Sequence, residues 1–93
     1  MSNATLPKQS IELVFLARLR ERFGVARETY ALPVEHASVA GLLASLRSRG
    51  KVFADELAEG RAYRVAVNHT VVGLDHPVHA GDEVAIFPPV TGG

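Results

Sequence analysis

The chain has 93 residues, enough for one domain with one modest core, and 47% of them are hydrophobic, which argues against a disordered polypeptide. Ten Lys and Arg balance ten Asp and Glu, so the formal net charge is zero and nothing broadly electrostatic points to nucleic acid or an anionic membrane as a partner. The lack of cysteine removes disulfides, thiolate chemistry and cysteine-based zinc sites, and the longest apolar runs are too short to cross a bilayer.

Residues 1–10 are polar and lack the apolar centre of a signal peptide, so the cytoplasm is the expected compartment. Ser2-Asn3-Ala4 resembles a remnant of recombinant expression, and segment 1–10 is expected to be disordered or foreign to the fold. Ile11 to Leu16 is rich in strand formers and predicts a first strand. Ala17 to Phe23 suits a short helix, stopped by Gly24. Arg27 to Leu32 alternates weakly and suits a second strand returning as a hairpin, ended by Pro33. The clearest element is Ser38 to Arg49. Ser38 is a suitable N-cap, and Val39, Leu42, Leu43 and Leu46 make one apolar stripe at helical spacing. Arg47 and Arg49 complement the dipole of its last turn, and Gly50 closes it. Gly41 costs this helix about 1 kcal/mol against alanine, and marks either close packing or nothing.

Phe53 to Leu57 reads as one more helical turn before Gly60. Tyr63 to Asn68 alternates as a strand, Asn68-His69-Thr70 reads as a turn, and Val71-Val72 as a short strand ended by Gly73. His76-Pro77 marks a loop, Ala80-Gly81-Asp82 a tight turn, and Glu83 to Phe87 the last strand. The order β, short α, β, long α, then two or three strands predicts an α+β domain with helices on one face of a mixed sheet. Alternation turns Val65, Val67, Val84 and Ile86 inward and Arg64, Ala66, Ala85 and Phe87 outward. Ala66, Ala85 and Phe87 then form a small apolar cluster beside the chain's last residues. It predicts a partner-docking face; the alternative is a cover supplied by a loop of the same chain.

The chain ends Phe87-Pro88-Pro89-Val90-Thr91-Gly92-Gly93. Pro88 and Pro89 cannot donate ladder hydrogen bonds, so they stop the last strand. Gly92 and Gly93 carry no side chain and fit a narrow channel. The one reactive group at the tip is the terminal carboxylate. It is a poor electrophile until an adenylyl group gives it a good leaving group. A sulfur donor can then displace AMP and leave a thiocarboxylate. The chain offers no obvious machinery for these steps, so an ATP-using partner must supply it.

Val65-Ala66-Val67-Asn68-His69-Thr70-Val71-Val72, Asp75-His76-Pro77, Gly81-Asp82-Glu83-Val84-Ala85 and Phe87 to Gly93 resemble the small, sulfur-carrying subunit of molybdopterin synthase, as does Phe15-Leu16-Ala17-Arg18-Leu19-Arg20-Glu21. The resemblance implies a ubiquitin-like β-grasp domain over residues 11–87 and a flexible Gly-Gly tail over 88–93. It implies that Gly93 is adenylated by an enzyme related to the ubiquitin-activating class, then thiocarboxylated from a sulfur donor protein. Pro88, Pro89, Val90, Thr91 and Gly92 would enter the large synthase subunit, in a heterotetramer. There the sulfur would pass to cyclic pyranopterin monophosphate. The chain would be a non-catalytic, sulfur-donating subunit that binds no cofactor; ATP would belong to the activating partner.

Three rivals stand beside this reading. They are the sulfur carrier of thiamine biosynthesis, a ubiquitin-like protein modifier, and a plain β-grasp binding module with an idle tail. His76, His79, Asp75 and His69 cluster in sequence, but Pro77 denies them a regular helical face, and no metal site is expected. Asp82 and Glu83 read as a turn aspartate beside a strand glutamate rather than an acid pair. Arg18, Arg20 and Arg22 read as a solvated face rather than an anion site.

Overall fold

Ile11, Leu13 and Phe15 alternate with Ser10, Glu12 and Val14, and this period of two makes β1 (Lys8–Phe15) a strand with one buried face. The structure, a computed structural model, describes residues 8–89. Expectations placed on Met1–Pro7 and on Val90–Gly93 therefore lie outside the described residues. β1 begins at Lys8, inside the segment expected to be disordered. The reason is pairing: Lys8, Gln9 and Ser10 lie opposite Pro33, Leu32 and Ala31 of β2 (Arg27–Pro33). In addition, the Gln9 side chain donates to the Val78 carbonyl at 2.7 Å, and the Gly81 N–H donates to the Ser10 carbonyl at 2.8 Å.

Between β1 and β2 lies helix α1 (Ala17–Phe23), ended by Gly24 in the left-handed conformation, as its sequence position predicts. A short 3-10 turn, Val34–His36, leads into α2 (Val39–Arg47). The Ser38 hydroxyl caps α2 by accepting from the Gly41 N–H at 3.0 Å. α2 stops two residues short of the expected Arg49. A third helix, α3 (Lys51–Glu56), replaces the single turn expected around Phe53. β3 (Arg64–Val67) and β4 (Thr70–Val72) form a hairpin whose two turn residues, Asn68 and His69, both have positive φ. That geometry suits the right-handed twist of the strands. β5 (Glu83–Phe87) completes a five-stranded sheet of order β2-β1-β5-β3-β4, in which β5 runs parallel to β1 and antiparallel to β3. This is the α+β, mixed-sheet arrangement that the element order predicts.

The helices cover one face of the sheet. Val39, Leu42, Leu43 and Leu46 of α2 are buried with Ile11, Leu13, Phe15, Leu32, Val65, Val67, Val84 and Ile86 of the strands. Phe53 of α3 stacks on Phe23 at 4.2 Å between ring centroids, and Phe15 meets Phe23 edge-on at 4.9 Å. The Arg49 guanidinium lies over the Phe53 ring and pairs with Glu28 at 2.8 Å, closing this corner.

Gly41 resolves to close packing. A Cβ placed on it would stand 2.5 Å from the backbone carbonyl oxygen of His36, which has no side-chain freedom to retreat. Gly41→Ala is therefore expected to lower stability by about 1–2 kcal/mol, the overpacking cost exceeding the roughly 1 kcal/mol gain in helix propensity. Urea denaturation measures it; a stabilised Gly41→Ala variant would contradict the contact.

Candidate functional site: the root of the C-terminal tail

β5 is the strand that carries the chain toward its last residues. Its hydrogen bonds persist to the end: the Leu16 N–H donates to the Ile86 carbonyl at 3.2 Å, and Phe87 stands in register with Arg64 of β3. Pro88 and Pro89 follow, both half-buried, and neither has an N–H with which to extend the ladder. Pro88 forms part of the wall of a cleft of about 230 Å³, shared with Arg18 and Leu19 of α1, Glu56 of α3, and Arg61 and Tyr63 from the segment before β3. The Tyr63 hydroxyl donates to the Leu57 carbonyl at 3.2 Å, and burial pushes its pKa upward.

The floor of this cleft holds the buried charge that sequence reading missed. The Glu56 side chain is only 4% exposed. Arg22 Nε donates to Glu56 Oε2 at 2.9 Å, Arg18 Nη2 lies 3.1 Å from Oε1, and Arg61 Nη2 lies 3.3 Å from Oε1. Burial alone pushes the carboxyl upward. The Arg22 hydrogen bond and the Arg18 and Arg61 charges outweigh it and hold the group below its ordinary range. Arg18, Arg20 and Arg22 are all exposed, as a solvated face predicts, but Arg18 and Arg22 also pair with Glu56 as the jaws of a clasp. Their spacing of four puts both on one side of α1, which is a legible signal. Their carboxylate, 38 and 34 residues away, is not.

The outward sheet face differs from expectation in one residue. Ala85 and Phe87 are half-buried, but Ala66 is only 7% exposed. Register sets Ala66 directly between Ala85 of β5 and Val71 of β4, and its single methyl is shielded by its neighbours. The apolar residue that this face presents most openly is Val71, 57% exposed. Its pairing with Ala66 follows from the two-residue turn, a signal present in the sequence.

The other candidate groups lie at the opposite end of β5. Asp82 accepts from the His79 backbone N–H at 2.8 Å and from the Asn68 side-chain amide at 3.0 Å. Burial raises its pKa, but these hydrogen bonds prevail and hold the carboxyl low. Asp82 acts as a turn clamp, while Glu83 pairs with Arg27 at 3.2 Å. His69 approaches Glu83 at 4.0 Å. Among the described residues, no group of three or more His, Asp or Glu side chains is placed to hold a metal ion. Nor is any helix there long and apolar enough to cross a membrane.

A mixed five-stranded sheet embracing its helices on one face, with the last strand central and leading into the terminal segment, is the ubiquitin-like β-grasp. Within that class the chain belongs to the ThiS family, whose model matches residues 13–93. It is 37% identical over 83 residues to the molybdopterin synthase sulfur carrier subunit of Escherichia coli (strain K12), an alignment that covers 89% of this chain and 99% of that relative. Among solved structures it is similar to the putative molybdopterin converting factor, subunit 1, of Pyrococcus furiosus. The TM-score is 0.75 at 32% identity, covering 88% of this chain and 99% of the other. It is also similar to small archaeal modifier protein 1 of H. volcanii, with a TM-score of 0.64 at 28% identity over 88% and 99% of the two chains.

The clasp carries a pH signature. Glu56→Gln is expected to destabilise the fold by about 1–2 kcal/mol at neutral pH, since three half-exposed arginines lose a charged acceptor. The Glu56 carboxyl is held below its ordinary value of 4.5 in the folded chain, so the unfolded chain takes up the proton first. Its contribution is complete above that value and disappears as pH falls through the lower, folded one. Urea denaturation from neutral pH downward should show the wild type converging on the Gln variant in acid. A gap of constant size would contradict the clasp.

Proposed function

We propose that the chain is the sulfur carrier of a molybdopterin synthase. The observation that carries this reading is the alignment with the E. coli sulfur carrier subunit over 99% of that protein's length. The family match extends to Gly93, at the end of the segment that β5 and the two prolines deliver. In this reading an activating enzyme transfers the adenylyl group of ATP to the Gly93 carboxylate and releases pyrophosphate. The terminal sulfur of a donor protein's persulfide then attacks the acyl carbon, the acyl–phosphate bond breaks, and AMP leaves with that bond's electron pair. A thiol next attacks the donor's own sulfur, forming a disulfide with it and breaking the S–S bond so that the acyl-bound sulfur departs as the thiocarboxylate. The resulting thiocarboxylate is ionised at neutral pH and is a soft nucleophile. It enters the large synthase subunit and surrenders its sulfur to cyclic pyranopterin monophosphate. Two such transfers complete one dithiolene.

This chain's own contribution is positional. Pro88 and Pro89 end the ladder; Val90, Thr91, Gly92 and Gly93 supply a segment whose last two residues have no side chain to obstruct a channel. Phe87 and Ala85, with Val71 added to the expected set, offer the apolar face on which the large subunit docks, and Ala66 backs it from below. The activating enzyme, the sulfur donor protein and the large subunit are its partners, and the cytoplasm its compartment.

Intact-mass spectrometry tests the reading. After incubation with activating enzyme, ATP and a sulfur donor, the chain should gain the mass difference of sulfur for oxygen, and adding large subunit and pterin precursor should reverse it. Deleting Gly93 should abolish the gain and leave the melting temperature nearly unchanged. Charging of the deleted chain, or discharge by the thiamine precursor instead, would overturn the assignment. The likeness to the H. volcanii modifier favours a second reading, attachment to protein lysines through the same activated glycine. It predicts isopeptide-linked adducts in cells.

A further inference from the structure

Three arginines and one glutamate meet beside Pro88, a local charge of +2 in a chain whose formal total is zero. The arrangement is asymmetric with respect to water. The Glu56 side chain is 4% exposed, whereas those of Arg18, Arg22 and Arg61 remain 60%, 51% and 44% exposed. Glu56 engages Nη2 of Arg18, Nε of Arg22 and Nη2 of Arg61. The remaining guanidinium N–H groups of these arginines have no hydrogen-bond partner among the described residues. Glu56 thus holds three long side chains in place from beneath and leaves their other donors facing outward. The rotamer freedom that an arginine normally loses on binding is already reduced. On the far side of the same strand end, Arg64 stands in register with Phe87, exposed and without an ion pair among the described residues.

We propose that Arg18, Arg22 and Arg61, oriented by Glu56, form a carboxylate-binding site at the tail root that receives an acidic rim on a protein into which the tail inserts. The proposal rests on the carrier reading above and adds a second contact to it, distinct from the apolar sheet face. A guanidinium fork matches a carboxylate in geometry as well as charge, and the outward N–H groups are the ones such a fork needs. The location decides the occupant. Pro88 walls the cleft and the tail residues follow it in sequence, so a protein that takes the tail would bring its channel mouth near these arginines. Charge complementarity there steers the encounter and sets its salt dependence. Glu56 is a positioning residue in this scheme, touching the arginines and not the partner.

Stopped-flow association of the full chain with purified large subunit and, separately, with purified activating enzyme tests the site at about 0.05 M and 0.5 M salt. Arg18→Gln combined with Arg61→Gln keeps the Arg22–Glu56 pair. It should slow association with at least one of the two proteins about tenfold at low salt, the difference vanishing at high salt. Glu56→Gln should speed both association, by adding one positive charge, and dissociation, by releasing the arginines. Lys8→Gln, at the start of β1, removes one charge away from the site and should change neither. If the paired Gln variant does not fold, Arg18→Lys with Arg61→Lys keeps charge but not the fork, and should raise the dissociation rate alone. Unchanged low-salt rates for the arginine variants with both proteins would overturn the site while leaving the carrier reading intact. Faster association would also overturn it, by showing that the chain's own C-terminal carboxylate occupies the arginines. A wild-type chain that binds neither protein, and is not charged, would sink the carrier reading and the site together.

Discussion

β5 is hydrogen-bonded along both edges, in parallel with β1 and antiparallel with β3, and no other strand's position matters as much to what the chain does next. A strand held on both sides cannot slip by one residue without turning Val84 and Ile86 out of the core and Ala85 and Phe87 into it. That register therefore fixes Phe87, and with it the point at which Pro88 must leave the sheet. The two prolines convert a strand that could continue into one that must stop, because neither can donate to a neighbouring backbone. The point at which Pro88 leaves the ladder is thus a consequence of core packing several residues upstream.

The same strand end is secured from the helical side by a different kind of force. Glu56 closes α3 almost out of contact with water, and an isolated carboxylate there would surrender its charge. The three arginines reverse that outcome, and they come from two separate places: Arg18 and Arg22 from α1, Arg61 from the segment before β3. The clasp consequently ties together the three stretches that wall the Pro88 cleft. Because its arginines are half-exposed, the interaction is screened and contributes modestly to stability. Its larger effect is geometric, the orientation of three guanidinium groups around one point.

How much of this was legible in the sequence follows the range of each interaction. The α2 stripe of Val39, Leu42, Leu43 and Leu46 and the Ser38 cap are local, and both appear as read. So do the Gly24 stop and the strand alternation of β3 and β5, which depend on period and on φ. The β1 start was misplaced because Lys8, Gln9 and Ser10 carry no strand signal of their own; β2 and the Val78 carbonyl hold them. Gly41 showed its propensity cost, yet its reason lies in the His36 carbonyl, brought close by a 3-10 turn with no strong sequence mark. The Glu56 clasp is a purely tertiary object. Ala66 illustrates a subtler loss. Its direction was correct, but exposure depends on the size of cross-strand neighbours, and an alanine between Val71 and Ala85 has little surface to show.

On the carrier reading, these distinctions bear on how a small domain with no net charge would be recognised at its end. Apolar contact of the kind Val71, Ala85 and Phe87 would make is non-directional and tolerates partners of different shape. It carries little information about orientation. A preorganised fork of arginines on the other side of Pro88 has the opposite character: little burial, strong directional preference, and a field that reaches beyond contact distance. The tail root lies between the two. On the carrier reading, a partner that engages both would meet Pro88 from one direction, whereas a partner that engages only the apolar face would lack that guide. Among the described residues Glu56 is the one buried carboxylate, and it lies at this spot beside Pro88 rather than elsewhere in the core.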